Sequence, residues 1–186
     1  MAVPTQALPF PPPSPRDGSA ICGYSPGDGI GLRSAAADDL PYLCQLYAST
    51  REQELAALPW PAAARQAFVE QQFVMQHQHY IRSYLGAEFL VVQFRGTPVG
   101  RYYLCRSEAD FLIIDISLDP SMRGRGVGTA LIKRTQAMAA ELGCEVRLHV
   151  RRDNAAARRL YSRLDFRPGT SEPDDAYLPM RWQSPS

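Results

Sequence analysis

The chain has 186 residues, a formal net charge of +1 and 45% hydrophobic residues, which is enough for one domain with a substantial core. The near-neutral charge gives no basic footprint for a nucleic acid, and no apolar stretch is long enough to span a bilayer. The N-terminus lacks a signal-peptide pattern, which predicts a cytoplasmic location for the protein. The four cysteines are scattered, without metal-ligand or redox spacing, and are predicted to be free thiols: Cys22, Cys44, Cys105 and Cys144.

The first 27 residues are rich in proline and include the run Pro11-Pro12-Pro13. Proline removes a backbone donor and fixes φ, so this stretch builds neither a helix nor an interior strand. We predict a flexible or polyproline-type extension over residues 1–27, followed by a folded domain over residues 28–183. A partner-binding motif in the extension is the alternative.

Beyond the extension, the spacing of apolar residues predicts strands and helices in mixed order. Phe111–Leu118 is a nearly continuous apolar run, typical of a central strand that is covered on both faces. Gly143 follows the third helix and is typical of a helix C-cap. The predicted order is a strand over residues 29–34, helices over 38–49 and 62–84, strands over 88–95, 98–107 and 111–118, a helix over 129–142, a strand over 144–150, a helix over 154–164, and strands over 166–168 and 177–182.

The most informative stretch connects the central strand to the third helix. It is a turn rich in glycine and arginine, with glycines at Gly124, Gly126 and Gly128. Glycine lets a backbone approach a ligand closely, and successive N–H groups then point into one concavity. The N-terminus of the following helix and the charges of Arg123 and Arg125 add to the attraction for an anion. The sequence therefore predicts a pyrophosphate-binding turn.

Three phosphate-binding motifs compete for this turn. A Walker A loop ends in Gly-Lys-Ser/Thr, but Gly128 is followed by Thr129 and no lysine. A dinucleotide fingerprint needs a third glycine where Thr129 stands, and no βαβ unit with a ribose-binding acid is evident. The third pattern, R-x-x-G-x-G, is met by Arg123, Gly126 and Gly128. It resembles the acyl-coenzyme A pyrophosphate loop of the GNAT superfamily of N-acetyltransferases; the alternative is a glycine-rich turn without a ligand.

A second motif lies downstream, over residues 150–166. In GNAT enzymes a strand ends there, an Asn follows, and a helix carries Ala and Leu-Tyr before a Gly-Phe pair. The chain resembles this pattern in register, except that Asp165 stands where the family usually has Gly. Asp tolerates the left-handed conformation better than most residues. The matching residues are Asn154, Ala157, Leu160, Tyr161 and Phe166.

The two motifs occur in the family's order, and the resemblance covers about residues 31–182. It implies the GNAT acyltransferase fold, which is α/β (α+β) with a mixed central sheet of about six to seven strands flanked by about four helices. It also implies an N-acetyltransferase that moves the acetyl group of its co-substrate acetyl-CoA directly to a primary amine, without a metal.

The resemblance assigns roles along the central strand and the turn. The pantetheine arm of acetyl-CoA would pair with the backbone of Ile116, Ser117 and Leu118, and the Leu118 N–H would stabilise the oxyanion. The pyrophosphate would be held by a cradle that consists of Arg123, Gly124, Arg125, Gly126, Val127, Gly128 and Thr129.

Four side chains are candidates for the remaining chemistry. Tyr161 is the candidate general acid for the leaving thiolate, with a buried aromatic anchor as the alternative. Asn154 would bond the pantetheine arm or cap the last helix. His149 is the candidate base, because imidazole has an ordinary pKa of about 6.5 and its position carries a Glu base in the ribosomal-protein alanine acetyltransferases. Asp115, a lone carboxylate in the central strand, is the rival base, with a salt-bridged structural acid as its alternative.

The sequence does not name the acceptor. A small-molecule amine is favoured over a protein, because an acidic last loop suits a cationic amine. A protein N-terminal or lysine acetyltransferase and a non-catalytic acyl-CoA-binding module are the alternatives, and a homodimer is compatible with the resemblance. His77 and His79 are interpreted as surface or groove residues, because no further ligand lies at metal-site spacing. The residues expected around the acceptor are Arg51, Glu52, Trp60, Tyr80, Tyr84 and Tyr177, with the acids Asp115, Glu172, Asp174 and Asp175.

Overall fold

The computed structural model describes residues 7–12 and 29–184, apart from the side chain of Gln53. The strands are β1 (Ile30–Ser34), β2 (Glu88–Phe94), β3 (Thr97–Arg106), β4 (Asp110–Leu118), β5 (Glu145–Arg151), β6 (Arg167–Pro168) and β7 (Tyr177–Trp182). The α-helices are α1 (Leu40–Ala56), α2 (Ala62–Ser83), α3 (Val127–Glu141) and α4 (Ala155–Arg163). The strands form one sheet in the order β1-β2-β3-β4-β5-β7-β6, in which only the β4–β5 pair is parallel.

The predicted fold class is confirmed, and the predicted strands and helices occur in the predicted order. The bounds of α1 differ most: the prediction ended at residue 49, whereas the helix continues to Ala56. Its last turns contain strong helix formers, an Arg51–Glu54 ion pair and a buried Leu55 side chain. The packing of Leu55 therefore carries the helix beyond the predicted end.

Helices cover both faces of the sheet. On one face, α3 and α4 contribute to the largest core cluster, which includes Tyr161 from α4 and Leu90 and Tyr102 from the strands. On the other face, Tyr80 of α2 packs in a cluster with Tyr103. Because successive residues of a strand point to opposite faces, β4 and β5 supply side chains to both layers.

A short part of the proline-rich extension contacts the domain. The Leu8 carbonyl oxygen accepts a hydrogen bond of 2.7 Å from His77 Nε2 of α2. The Phe10 ring lies 4.8 Å from the His77 ring and 5.8 Å from the Phe89 ring, centroid to centroid. His77 is only 2% exposed, so its interpretation as a surface or groove residue is wrong; the extension helps to cover it. The flexibility predicted for residues 1–6 and 13–27 concerns positions outside the described residues.

Three further properties concern the described residues as a whole. Cys44, Cys105 and Cys144 are free thiols, as predicted, whereas Cys22 lies outside the described ranges. Within residues 7–12 and 29–184, no helix combines the length and the apolar character needed to cross a membrane. The same residues contain no group of three or more His, Cys, Asp or Glu side chains that could hold a metal ion.

Asp165 adopts the left-handed conformation, with φ of 62°, which Asp was expected to tolerate better than most residues. Left-handed backbone costs an L-residue roughly 1–2 kcal/mol, and β-branched residues tolerate it worst. We expect Asp165→Gly to raise the free energy of unfolding by about 0.5 kcal/mol and Asp165→Val to lower it by about 1–2 kcal/mol. Urea unfolding of both variants measures this, and a Val variant as stable as the Gly variant would contradict it.

Candidate active site

The sheet opens between its two parallel strands. β4 and β5 pair from Asp110 opposite Glu145 to Ile113 opposite Leu148. Both strands continue beyond that point, β4 to Leu118 and β5 to Arg151, but they no longer pair with each other. A register shift opposite Tyr103 and Leu104 places an extra residue, Ile114, in β4 at the same point. Such a bulge bends a strand away from its neighbour, so the sheet contains a gap with an open backbone edge.

The register of β3 and β4 shows which backbone groups of β4 face this gap. The Asp119 N–H donates to the Val99 carbonyl oxygen at 2.9 Å. Because N–H groups alternate between the two edges of an antiparallel strand, those of Ile116 and Leu118 point away from β3 and toward the gap. The sequence-based assignment had named these same two residues, together with Ser117, as the pantetheine-binding stretch.

Gly100 of β3 permits this arrangement and was missed by the sequence reasoning. A Cβ atom at Gly100 would lie 2.5 Å from the Ser117 carbonyl oxygen and 2.7 Å from Leu118 Cδ2. β3 and β4 therefore approach more closely here than any side chain on Gly100 would allow. The available signal was a glycine inside a strand pattern, which marks a close approach of another backbone.

The glycine-rich turn lies at the end of β4 and has a preformed shape. Its two ends are anchored by the buried side chains of Met122 and Val127. Between them, Gly124 and Gly126 have φ of 72° and 82°, which is the region that favours glycine. Adding a Cβ atom to either glycine would meet nothing within 4 Å. These two glycines are thus required by backbone conformation and not by crowding within the protein.

The first turn of α3 offers unpaired N–H groups. Gly126 is the N-cap residue and no side chain caps the helix there. The first hydrogen bond of the helix runs from the Ala130 N–H to the Gly126 carbonyl oxygen at 2.9 Å. The N–H groups of Val127, Gly128 and Thr129 therefore precede the regular helical bonding pattern. A helix N-terminus with free N–H groups is suited to bind an anion.

Two contacts join the turn to the gap. Arg123 Nε donates to the Leu118 carbonyl oxygen at 3.0 Å, which fixes the start of the turn against the end of β4. A Cβ atom on Gly128 would lie 3.8 Å from both Ile116 Cδ1 and Leu160 Cδ2. The anion-binding turn thus borders the open backbone edge of β4, and the Arg125 side chain is exposed beside it.

Tyr161 lies within α4, and Asn154 is the N-cap residue of the same helix. Tyr161 is 7% exposed, and its ring lies 5.8 Å from that of Phe166. Burial, and then the negative charge of Asp115, raise the pKa of Tyr161 to about 12, so the phenol is protonated at neutral pH. Asn154 Oδ1 accepts a hydrogen bond from the Ala157 N–H at 3.0 Å. This bond confirms the helix-cap interpretation of Asn154.

Asp115 lies on the face of β4 that α2 covers, and its carboxylate is already paired. Arg101 donates to both carboxylate oxygens, from Nε at 3.2 Å and from Nη2 at 2.8 Å. The Tyr80 hydroxyl donates to Oδ2 at 2.9 Å, and Ser117 Oγ donates to Oδ1 at 2.8 Å. The side chains of Arg101 and Asp115 are 3% and 11% exposed. This is the salt-bridged arrangement that was the alternative to a catalytic base.

His149 lies on the same face, one residue beyond the last β4–β5 pair. Val146, Leu148 and Val150 of β5 belong to the core on the α3–α4 side, so the alternate residue His149 points to the opposite face. Its side chain is exposed. The structure therefore brings Asp115 and His149 to one side of the gap, where Asp115 is paired and His149 is open to solvent.

The expected acceptor residues lie at different depths. Tyr80 is half-buried and bonded to Asp115, while Trp60 and Tyr177 are 40% and 53% exposed. Arg151, at the end of β5 and on the same face as His149, is paired with Asp153, which raises the pKa of Arg151.

The acidic last loop is held in place by one arginine. Arg152 Nε donates to the Asp175 carbonyl oxygen at 2.7 Å, and Nη2 donates to Ser171 Oγ at 2.7 Å and to the Glu172 carbonyl oxygen at 2.8 Å. Arg152 lies between β5 and α4 and is half-buried. Its side chain organises the loop that borders β7.

Comparison with known proteins matches these features to one family. Residues 46–166 match the model of the Acetyltransferase (GNAT) family. The chain is 31% identical to N-alpha-acetyltransferase RimI of Mycobacterium tuberculosis over 112 residues, which cover 58% of this chain and 61% of the relative. It is also 31% identical to peptidyl-lysine N-acetyltransferase YjaB of Escherichia coli over 115 residues, which cover 60% of this chain and 73% of the relative. The chain thus spans less than two thirds of the mycobacterial relative.

A solved structure supports the same fold. The PaiA N-acetyltransferase of Thermoplasma acidophilum, crystallised in complex with coenzyme A, superposes with a TM-score of 0.62 at 17% identity. The superposition covers 83% of this chain and 99% of that one. Because the family model matches well over half of the residues and the architecture agrees, this chain belongs to the GNAT acetyltransferase family.

Proposed function

We propose that this protein transfers the acetyl group of acetyl-CoA directly to a primary amine. The observation that carries the proposal is the gap between β4 and β5, which exposes backbone N–H groups and is bordered by a preformed anion-binding turn. A gap of this kind suits an extended donor whose reactive end enters the sheet while its phosphates stay at the surface. The donor supplies an activated thioester, and the protein supplies binding, orientation and proton transfer.

The residues around the gap fit the two ends of acetyl-CoA. The N–H groups of Val127, Gly128 and Thr129, together with the charge of Arg125, would hold the pyrophosphate. The β4 edge would pair with the pantetheine amides, and Asn154 would remain the cap of α4 while its exposed side chain borders the same arm. The Leu118 N–H would stabilise negative charge on the acetyl carbonyl oxygen, because a fixed backbone donor needs little reorganisation.

We assign the base to His149 and the acid to Tyr161. Asp115 is the weaker candidate for the base, because its oxygens already accept bonds from Arg101, Tyr80 and Ser117. His149 is exposed on the side from which an amine would approach, and a neutral imidazole nitrogen can accept a proton. Tyr161 lies in the opposite layer and stays protonated, so it would deliver a proton to the departing sulfur.

The acceptor class has two candidates. The acidic last loop favours the small cationic amine expected from the sequence. The names of the two relatives, one an N-alpha-acetyltransferase and the other a peptidyl-lysine N-acetyltransferase, favour a protein amine as the second candidate. Both classes would enter from the side of His149, so they share one chemical mechanism.

The test is release of free coenzyme A from acetyl-CoA against a panel of polyamines, aminoglycosides, amino acids and peptides with free N-termini. Release with one class would support the enzyme and identify the acceptor. If no amine promotes release although acetyl-CoA binds by calorimetry, the small-molecule acceptor is excluded, and a protein acceptor or a non-catalytic acyl-CoA-binding module takes its place.

Replacing Gly128 should separate donor binding from stability. The added methyl group of Gly128→Ala meets protein atoms only at ordinary contact distances of 3.8–3.9 Å. The methyl group would, however, occupy space at the first turn of α3 where the pyrophosphate is proposed to bind. We expect the Kd for coenzyme A to rise about tenfold, while the free energy of unfolding changes by less than about 0.5 kcal/mol. Calorimetry and urea unfolding measure the two quantities; Ala130→Ser, on an exposed position of the same helix, is the control.

His149→Gln tests the base. Glutamine keeps a polar side chain but accepts no proton, so we expect kcat/KM for the amine to fall about 100-fold. The matched control is Arg147→Gln, two residues earlier on the same face of β5. A kcat/KM for His149→Gln as high as that of wild type would assign the base to another group.

A further inference from the structure

The docked part of the proline-rich extension lies against α2, the helix that also contacts the Arg101–Asp115 pair. We infer that Phe10 and His77 are positioning residues: docking of residues 7–12 fixes α2, and α2 in turn fixes Asp115 on the acceptor side of the gap. The claim that the docked segment fixes α2 is argued from the contacts alone. The claim that this affects turnover rests on the proposed acetyl transfer.

The extension fills a site that is built for it. Phe10 packs against two core clusters at once, the one between α1 and α2 and the one between α2 and the sheet. Its ring makes an edge contact with the His77 ring, which stacks on Phe73 at 5.9 Å from its other side. Pro9, Pro11 and Pro12 are exposed, whereas the aromatic side chain is partly buried against the domain.

His77 joins the extension to the helix through a bond that depends on the extension. Burial, with a contribution from the charge of Arg101, lowers the pKa of His77, so the ring is neutral and carries one N–H. That N–H is used on the Leu8 carbonyl oxygen. The exposure of 2% holds with residues 7–12 in place, so loss of the segment would remove this bond and open the His77 ring to water. Without the segment, α2 would also lose the packing of Phe10 on His77 and would be freer to move.

Such a movement would reach Asp115 directly. Gln76, next to His77 in α2, accepts a bond of 2.8 Å from Arg101 Nη2. Tyr80, four residues after Gln76 and on the same helix face, donates to Asp115 Oδ2 at 2.9 Å. The path from Phe10 to Asp115 is thus a series of direct contacts through one helix. The donor side, formed by α3, α4 and the glycine-rich turn, lies on the other face of the sheet.

The experiment compares full-length wild type with Phe10→Ala and with Pro12→Ala as the matched control. In hydrogen exchange by mass spectrometry, Phe10→Ala should make amides in residues 73–84 of α2 exchange about tenfold faster, with β5 and α4 unchanged. With the best amine from the panel, kcat/KM should fall about 3- to 30-fold, while the Kd for coenzyme A stays within about twofold. Pro12→Ala should match wild type in every measurement.

Two further variants separate positioning from loss of folding. Phe10→Tyr keeps the ring and should restore the wild-type values, and the double variant Phe10→Ala/Tyr80→Phe should lose less than the product of the two single losses, because both act on the same bond. Unchanged exchange in α2, or equal losses in amine use and coenzyme A binding, would overturn the inference. If wild type releases no coenzyme A with any amine, the proposed function fails, and the exchange data still decide whether Phe10 fixes α2.

Discussion

Replacing Tyr161 by Phe should lower kcat by roughly 100-fold, the lower end of what a positioned general acid contributes. The substitution removes only the hydroxyl and keeps the ring that packs beside Phe166, so the fold and the Kd for coenzyme A should not change. The hydroxyl makes no side-chain hydrogen bond within the described residues, and its loss leaves no partner unpaired there. Single-turnover release of coenzyme A measures the effect.

The pH dependence gives this prediction a second test. Burial and the charge of Asp115 raise the pKa of Tyr161 to about 12, so the phenol stays protonated from neutral to moderately alkaline pH. Wild type should therefore show no alkaline decline from this residue below about pH 10, and the variant should be slower by the same factor across that range. Tyr177→Phe, on an exposed tyrosine, is the control. Undiminished turnover in Tyr161→Phe would remove the assignment and leave Tyr161 as a buried aromatic anchor.

Arg101→Met should have the largest effect on stability. Arg101 and Asp115 form an ion pair that is 3% and 11% exposed, and the variant leaves the Asp115 carboxylate with only two hydroxyl donors. Removing one partner of a buried pair typically costs about 3–5 kcal/mol. Because Asp115 belongs to β4, next to the proposed pantetheine-binding backbone, the residual folded protein should also lose activity. Urea unfolding at neutral pH measures the loss of stability.

Two controls identify the cause. The double variant Arg101→Met/Asp115→Leu removes both charges and should recover much of the lost free energy, because no unpaired charge is left in the interior. Arg147→Met breaks an ion pair with Asp110 whose arginine is 49% exposed, and it should cost less than about 1 kcal/mol. A double variant as unstable as Arg101→Met alone would show that packing, and not the unpaired charge, dominates.

Local sequence was sufficient for features that depend on neighbouring residues. The turn from Arg123 to Thr129 was predictable, because glycines with positive φ and an uncapped helix start are encoded within a few positions. The order of strands and helices along the chain followed from apolar runs and turn residues, and the left-handed Asp165 followed from the one departure in an otherwise matching motif. The end of α1 was the bound misplaced furthest, because the packing of Leu55 is a tertiary contact.

Features that join distant residues required the tertiary structure. The pairing of Asp115 depends on Arg101 from a neighbouring strand and Tyr80 from a helix 35 residues earlier, and sequence spacing does not encode such contacts. The role of Gly100 depends on how closely β3 approaches β4. His77 was misjudged because its partners are Leu8 and Phe10, in a proline-rich stretch whose composition predicts no packing.

The sequence by itself thus determined the elements, the anion-binding turn and the family, since these depend on local backbone preferences. The tertiary structure decided which polar side chains are buried and paired and which stay free to react, since that depends on long-range packing.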